Sequence, residues 1–123
     1  MKILVVEDEE VLAKVLEEKL EKSGDEVAIA ADGEVAITLA QSFNPDVIVL
    51  DLLLPKRSGF EVLQILKADN VLKAIPVIVV SNLGEDNDIK HALSLGAVDY
   101  YVKSEHPINE IIEKIGNIVI QAK

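Results

Sequence analysis

Short apolar runs alternate with longer stretches of helical period along the chain. Ile3-Leu4-Val5-Val6, Val47-Ile48-Val49-Leu50 and Val77-Ile78-Val79-Val80 are unbroken apolar runs, the pattern of strands buried on both faces. Strand one is expected over about 2–6 and a weaker strand two over 26–30, ending at Asp32-Gly33. Strand three is expected over about 46–50, strand four opens at Pro76, and strand five spans 99–102. Between them lie amphipathic segments. The first carries Leu12, Val15, Leu16 and Leu20 until Ser23-Gly24 stops it, and the second carries Val35, Ala36, Leu39 and Ala40 until Asn44-Pro45. A third helix is expected from Gly59 to about Ala68, with Phe60, Val62, Leu63 and Leu66 available for burial. A fourth covers about 86–95 and stops at Gly96. Pro107 starts a fifth, carrying Ile108, Ile111, Ile112 and Ile115.

Five strand–helix units in strict alternation imply right-handed crossovers and a three-layer α/β/α fold. The expected form is a doubly wound five-stranded parallel sheet in the flavodoxin-like order 2-1-3-4-5. With 123 residues the chain reads as one domain, residues 1–123. An apolar fraction of 50% with only 3% aromatics makes the interior aliphatic, as such a sheet requires. The absence of cysteine excludes disulfides, thiolate metal sites and a cysteine nucleophile. A net charge of −10 argues against direct contact with a nucleic-acid backbone or an anionic membrane surface. No apolar stretch approaches the roughly 18 residues of a membrane span, and Met1-Lys2 leads into a strand without a signal-peptide pattern, so a cytoplasmic location is expected.

Chemistry gathers where the strands stop. Strand one runs into Glu7-Asp8, strand three into Asp51, strand four into Ser81-Asn82 and strand five into Lys103. In parallel strands these ends share the carboxyl edge, where ligands bind in open α/β sheets. In the expected order strands one and three are neighbours, which brings Glu7, Asp8 and Asp51 together. Clustered carboxylates resist joint ionisation unless a cation compensates, and an oxygen-only, wet site favours Mg²⁺. Magnesium in turn favours a phosphoryl partner, for which Lys103 and Ser81 would supply charge and a hydrogen bond. Plainer roles exist for each residue taken singly. Glu7 to Glu10 suit the acidic first turn of a helix, Ser81 a cap, Lys103 a solvated charge and Asp51 a turn. His91 and His106 lack the local spacing or acidic company of ligands and are read as surface residues.

Ile3-Leu4-Val5-Val6-Glu7-Asp8-Glu9, Asp51-Leu52-Leu53-Leu54-Pro55 with Gly59, Ser81, and Asp99-Tyr100-Tyr101-Val102-Lys103 occur in an order and spacing that resemble the receiver domain of bacterial two-component response regulators. The resemblance covers essentially the whole length. It implies a phosphorylation-operated signalling switch that takes a phosphoryl group from a histidine kinase, a phosphotransfer protein or a small phosphodonor. Asp51 would be the phosphoacceptor, Asp8 a direct Mg²⁺ ligand, Glu7 a ligand through water, and Leu53 a ligand through its backbone carbonyl. Lys103 would pair with the phosphoryl group and Ser81 would hydrogen-bond to it. Tyr100 occupies the family's switch-aromatic position and is expected to turn inward as Ser81 moves, which places output on the face of helix four, strand five and helix five. Hydrolysis of the aspartyl phosphate is expected to be slow, because Leu53 and Leu83 are apolar where a polar residue could orient water.

Two positions depart from the family pattern. Ser104 follows Lys103 where proline is usual, so a trans peptide is expected there. Asn82 stands where a smaller residue is usual. Other functions fit less well. A flavin or phosphate binder would want a Gly-rich turn after strand one, and a haloacid-dehalogenase-like phosphohydrolase a second Asp at Leu53. A binding-only pseudo-receiver would not need the full set of Asp8, Asp51, Ser81 and Lys103.

Overall fold

The computed structural model describes residues 1–122. Its strands are β1 (Lys2–Val6), β2 (Glu26–Ala30), β3 (Val47–Leu50), β4 (Val77–Ser81) and β5 (Asp99–Val102). They alternate with helices α1 (Glu10–Lys22), α2 (Gly33–Ser42), α3 (Gly59–Ala68), α4 (Asp86–Ser94) and α5 (Ile108–Ala122). All strand pairs are parallel and the order is β2-β1-β3-β4-β5, as the alternation predicts.

The period of two along each strand divides the apolar runs between two cores. Leu4, Val6, Ile48, Leu50, Val77 and Val79 face one side and pack with Val62, Leu63 and Leu66 of α3, Ala36 and Ala40 of α2, and Ala92 of α4. Ile3, Val5, Val47, Val49, Ile78 and Val80 face the other side and pack with Leu16 and Leu20 of α1 and Ile111 and Ile115 of α5. Full burial of each Val, Leu or Ile is worth about 1.5–3 kcal/mol, so the aliphatic layers, not the polar edge, hold the sheet together.

The differences from the sequence reading are local. Val35 is 40% exposed, and Ile37 packs against the α2–α3 core instead. Ala36, Leu39 and Ala40 keep the expected face, and Val35 stands at its edge in the first turn, which Asp32 caps with Oδ1 accepting from the Glu34 and Val35 amides at 2.9 Å each. Asp46 stands outside β3, its carboxylate accepting from the Lys2 amide at 2.8 Å. A single 3-10 turn at Leu72–Ala74 was not foreseen; Asp69 nucleates it by accepting from the Val71 and Leu72 amides at 2.8 and 2.9 Å. Pro107 precedes α5, its carbonyl accepting from the Glu110 and Ile111 amides. The Lys103–Ser104 peptide is trans, as expected for a non-proline bond. No described helix is long and apolar enough to cross a membrane.

Candidate functional site at the carboxyl edge of the sheet

Register builds the site. Val6 pairs with Ala30 on one side and Leu50 on the other, so Glu7 and Asp51 leave neighbouring strands at the same level. Each is held by one further backbone bond: the Glu7 amide donates to Ala30 O at 2.9 Å and the Asp51 amide to Val6 O at 3.0 Å. Carboxylate oxygens of Glu7, Asp8 and Asp51 lie within 4.8 Å of one another. Glu7 and Asp51 are buried, whereas Asp8 is exposed.

Lys103 reaches this cluster from β5, two strands away from β3. Its amide donates to Ser81 O at 2.9 Å, which aims the side chain back across the edge. Nζ lies 2.6 Å from Glu7 Oε1 and 2.9 Å from Asp51 Oδ2. The remaining oxygens are satisfied locally. Glu7 Oε2 accepts from the Glu9 amide and Asp51 Oδ1 from the Leu53 amide, both at 3.2 Å. Burial holds the Glu7 carboxyl above its usual range; the Lys103 bond opposes this and the Asp51 charge adds to it. Burial alone would lower Lys103, but its bonds to Glu7 and Asp51 outweigh that and hold the ammonium firmly protonated.

Gly59 is required where α3 begins. A Cβ there would lie 2.3 Å from Asp51 O and 2.5 Å from Leu52 Cα, and the Gly59 amide donates to Leu52 O at 2.9 Å. The helix start is thereby pressed onto the peptide of Asp51. Ser58 caps it, its Oγ accepting from the Glu61 amide.

Ser81 is fully buried inside β4, paired with Val102, and its Oγ accepts from the Leu83 amide at 3.3 Å. Tyr100 is half-buried against the α2–α3 core, and its hydroxyl donates to the Leu83 carbonyl. Its phenol is held above its usual pKa by burial and by the Asp88 and Asp51 charges. The ring is thus already docked on the β4–α4 loop. Leu53 is 50% exposed, and Leu83 packs its side chain against the core. Asn82 is exposed.

The sequence reading brought Glu7, Asp8, Asp51 and Lys103 to one place, and the structure does the same. It missed the direct Lys103–Glu7 bond. It also placed His106 at the surface without acidic company. His106 is half-buried, edge-on to the Tyr101 ring at 5.2 Å, with Nδ1 3.0 Å from Glu110. The spacing of four residues on α5 was the available signal. His91 is exposed, stacked on Phe60 at 4.6 Å.

The donor set fits a hard divalent cation: three carboxylates meet at one edge, with a single ammonium to offset them. Comparison with known proteins agrees with this chemistry. The family model for the response regulator receiver domain matches residues 3–116. The alkaline phosphatase synthesis transcriptional regulatory protein PhoP of Bacillus subtilis is 42% identical over 106 residues, covering 86% of this chain and 43% of that protein. The chain therefore spans less than half the length of that relative. The receiver domain of the Francisella response regulator 1452 superposes with a TM-score of 0.91 at 32% identity, over 99% of this chain and 98% of that one. The Mn²⁺-bound response regulator Rcp1 superposes with a TM-score of 0.81 at 32% identity, over 95% and 90%. Receiver domains bind Mg²⁺ at an acidic pocket, and their general function is that of a phosphorylation-operated switch. With the sheet order, the acidic edge and the match over nearly all of its length in agreement, the chain belongs to the receiver domains of two-component response regulators.

Proposed function

We propose that Asp51 is the phosphoacceptor of this receiver. The observation that carries the reading is the shared lysine: Lys103 Nζ touches both Asp51 and Glu7, while Asp8 completes the acidic group. An Asp51 oxygen attacks phosphorus, the bond from phosphorus to the donor's histidine nitrogen breaks, and that nitrogen leaves with its electron pair. Asp8 and Asp51 would hold Mg²⁺ directly, Glu7 through water, and Leu53 through its backbone carbonyl. Bound there, the metal supplies positive charge to the phosphoryl oxygens. Lys103 follows the charge from the Asp51 carboxylate to the new phosphoryl group, and Ser81 donates a hydrogen bond to it. Positioning and charge neutralisation account for the chemistry.

The donor would be a histidine kinase or phosphotransfer protein, and slow loss of the acyl phosphate to water resets the switch. Residues 1–123 act as one receiver unit in the cytoplasm. Output runs through α4, β5 and α5, where Ser81 and Tyr100 meet at Leu83. With a net charge of −10 this unit does not itself hold DNA, and the responding element is a protein partner or a second domain. Incubation with acetyl phosphate and Mg²⁺ should add one phosphoryl mass to the parent and none to Asp51→Asn. Equal mass gain in the two would refute the assignment.

A further inference from the structure

Two loops that the proposed chemistry treats separately are tied together beside the site. Pro55 O accepts from the Gly33 amide at 3.3 Å and from the Arg57 amide at 2.8 Å. The second bond closes a γ-turn around Lys56, whose φ is +67°, a conformation that non-glycine side chains rarely adopt. Lys56 Nζ lies 3.7 Å from Asp32 Oδ2. Asp32 is also the cap of α2, and its carboxyl is held low by the amide bond from Val35 and further by the Lys56 charge. The fit is tight: a Cβ on Gly33 would lie 2.6 Å from both Arg57 Cβ and Arg57 O.

A strained turn persists where its surroundings over-determine it. Here the surroundings are the first turn of α2, fixed by its own cap. The segment so held, from Leu53 to Gly59, joins the Asp51 peptide to α3. We infer that Asp32 and Gly33 are positioning residues for metal binding: by anchoring Pro55 and the Lys56 turn to α2, they fix the backbone of the Asp51 loop that offers the Leu53 carbonyl to Mg²⁺. This rests on the metal role proposed for Leu53. Outer groups that orient a metal ligand typically change affinity by about 10–100-fold when removed.

The test is Mg²⁺ titration of the full chain by calorimetry, beside thermal melting in EDTA. Gly33→Ala should weaken Mg²⁺ by about tenfold. Its melting temperature in EDTA should fall, because a Cβ 2.6 Å from Arg57 Cβ and Arg57 O forces the turn to move. Lys56→Gly relieves the φ strain and removes the ion pair; it should bind Mg²⁺ severalfold more weakly while melting no lower. Asp32→Asn keeps the cap and removes the charge, and should have the smallest effect of the three. Parental affinity in folded Gly33→Ala would overturn the inference, and if that variant does not fold, parental affinity in Lys56→Gly overturns it. Asp8→Ala separates the two levels of the argument. If Asp8→Ala abolishes Mg²⁺ binding while the loop variants bind like the parent, only the anchoring role fails; if the parent binds no Mg²⁺, the site assignment fails with it.

Discussion

Lys103→Met reads the charge balance of the site directly, because one ammonium serves two buried carboxylates. The side chains of Lys103, Glu7 and Asp51 are 12%, 4% and 5% exposed, and the two contacts are 2.6 and 2.9 Å. Methionine keeps the unbranched stem and loses the charge. At about 3 Å each pair attracts by about 1.4 kcal/mol at the dielectric of bulk water and about 5.5 kcal/mol at an effective value of 20. Desolvation of the ammonium offsets part of this. Removing one partner of a buried pair costs about 3–5 kcal/mol, and the opening toward exposed Asp8 places this site at about 3. The assay is urea unfolding at neutral pH in EDTA, repeated with Mg²⁺. Saturation at about 100 times Kd adds about 2.7 kcal/mol to a protein that binds only when folded, and the variant should gain at least as much as the parent because no ammonium competes for the oxygens. A variant within about 0.5 kcal/mol of the parent in EDTA, the range of ordinary surface changes, would refute Lys103 as the compensating charge.

Glu7→Gln should behave oppositely. The folded pKa of Glu7 is raised from 4.5, so the native state holds more protons than the unfolded state above that pH, and stability from this group rises as pH falls toward 4.5. In EDTA the glutamine variant should lose that slope and be no less stable at neutral pH; marked destabilisation there would count against it. Gly59→Ala forces a Cβ to 2.3 Å from Asp51 O and should cost about 3 kcal/mol or more, seen as a lowered melting temperature, with unchanged melting as the contrary result. Leu53→Asn places a water-orienting amide on a side chain that is 50% exposed, and should speed acyl-phosphate decay severalfold in Mg²⁺. An unchanged decay rate would remove Leu53 from the water path. Leu83→Glu should instead lower stability, since that side chain packs against the core.

The covered sheet was legible because three strands are continuous apolar runs, and its order because strand–helix alternation imposes right-handed crossovers. The site was legible for a related reason. Glu7, Asp51, Ser81 and Lys103 each stand where a run stops, and parallel pairing brings all such ends to one edge. Contacts between loops were not. The Asp32–Lys56 pair and the seat of Gly33 on Arg57 join residues 24 apart in each case, without periodicity to announce them. Lys67 is similar: its ammonium crosses to the Lys73 and Ile75 carbonyls at 3.1 and 2.9 Å, while its stem lies under Gly96. Val35 and Ile37 flank the stripe of Ala36, Leu39 and Ala40 on opposite edges, and periodicity alone does not say which edge the core covers.

Leu83 is where the acidic edge meets the face made by α4 and β5. Its amide donates to Ser81 Oγ, and its carbonyl takes the Tyr100 hydroxyl. A phosphoryl group on Asp51 would add about −1.5 to −2 charge and strong acceptor oxygens beside a lysine already shared by two carboxylates. The Ser81 hydroxyl is the uncharged donor on the neighbouring strand, and β3–β4 pairing keeps it at the same edge. If Ser81 Oγ swings toward the new oxygens it would leave the Leu83 amide, and the carbonyl of the same residue takes the Tyr100 hydroxyl. Any coupling between the site and the proposed output face would run through the backbone of Leu83, which both side chains contact. A second arrangement of this loop above fixed aliphatic layers would be the condition for a small local charge to shift a population.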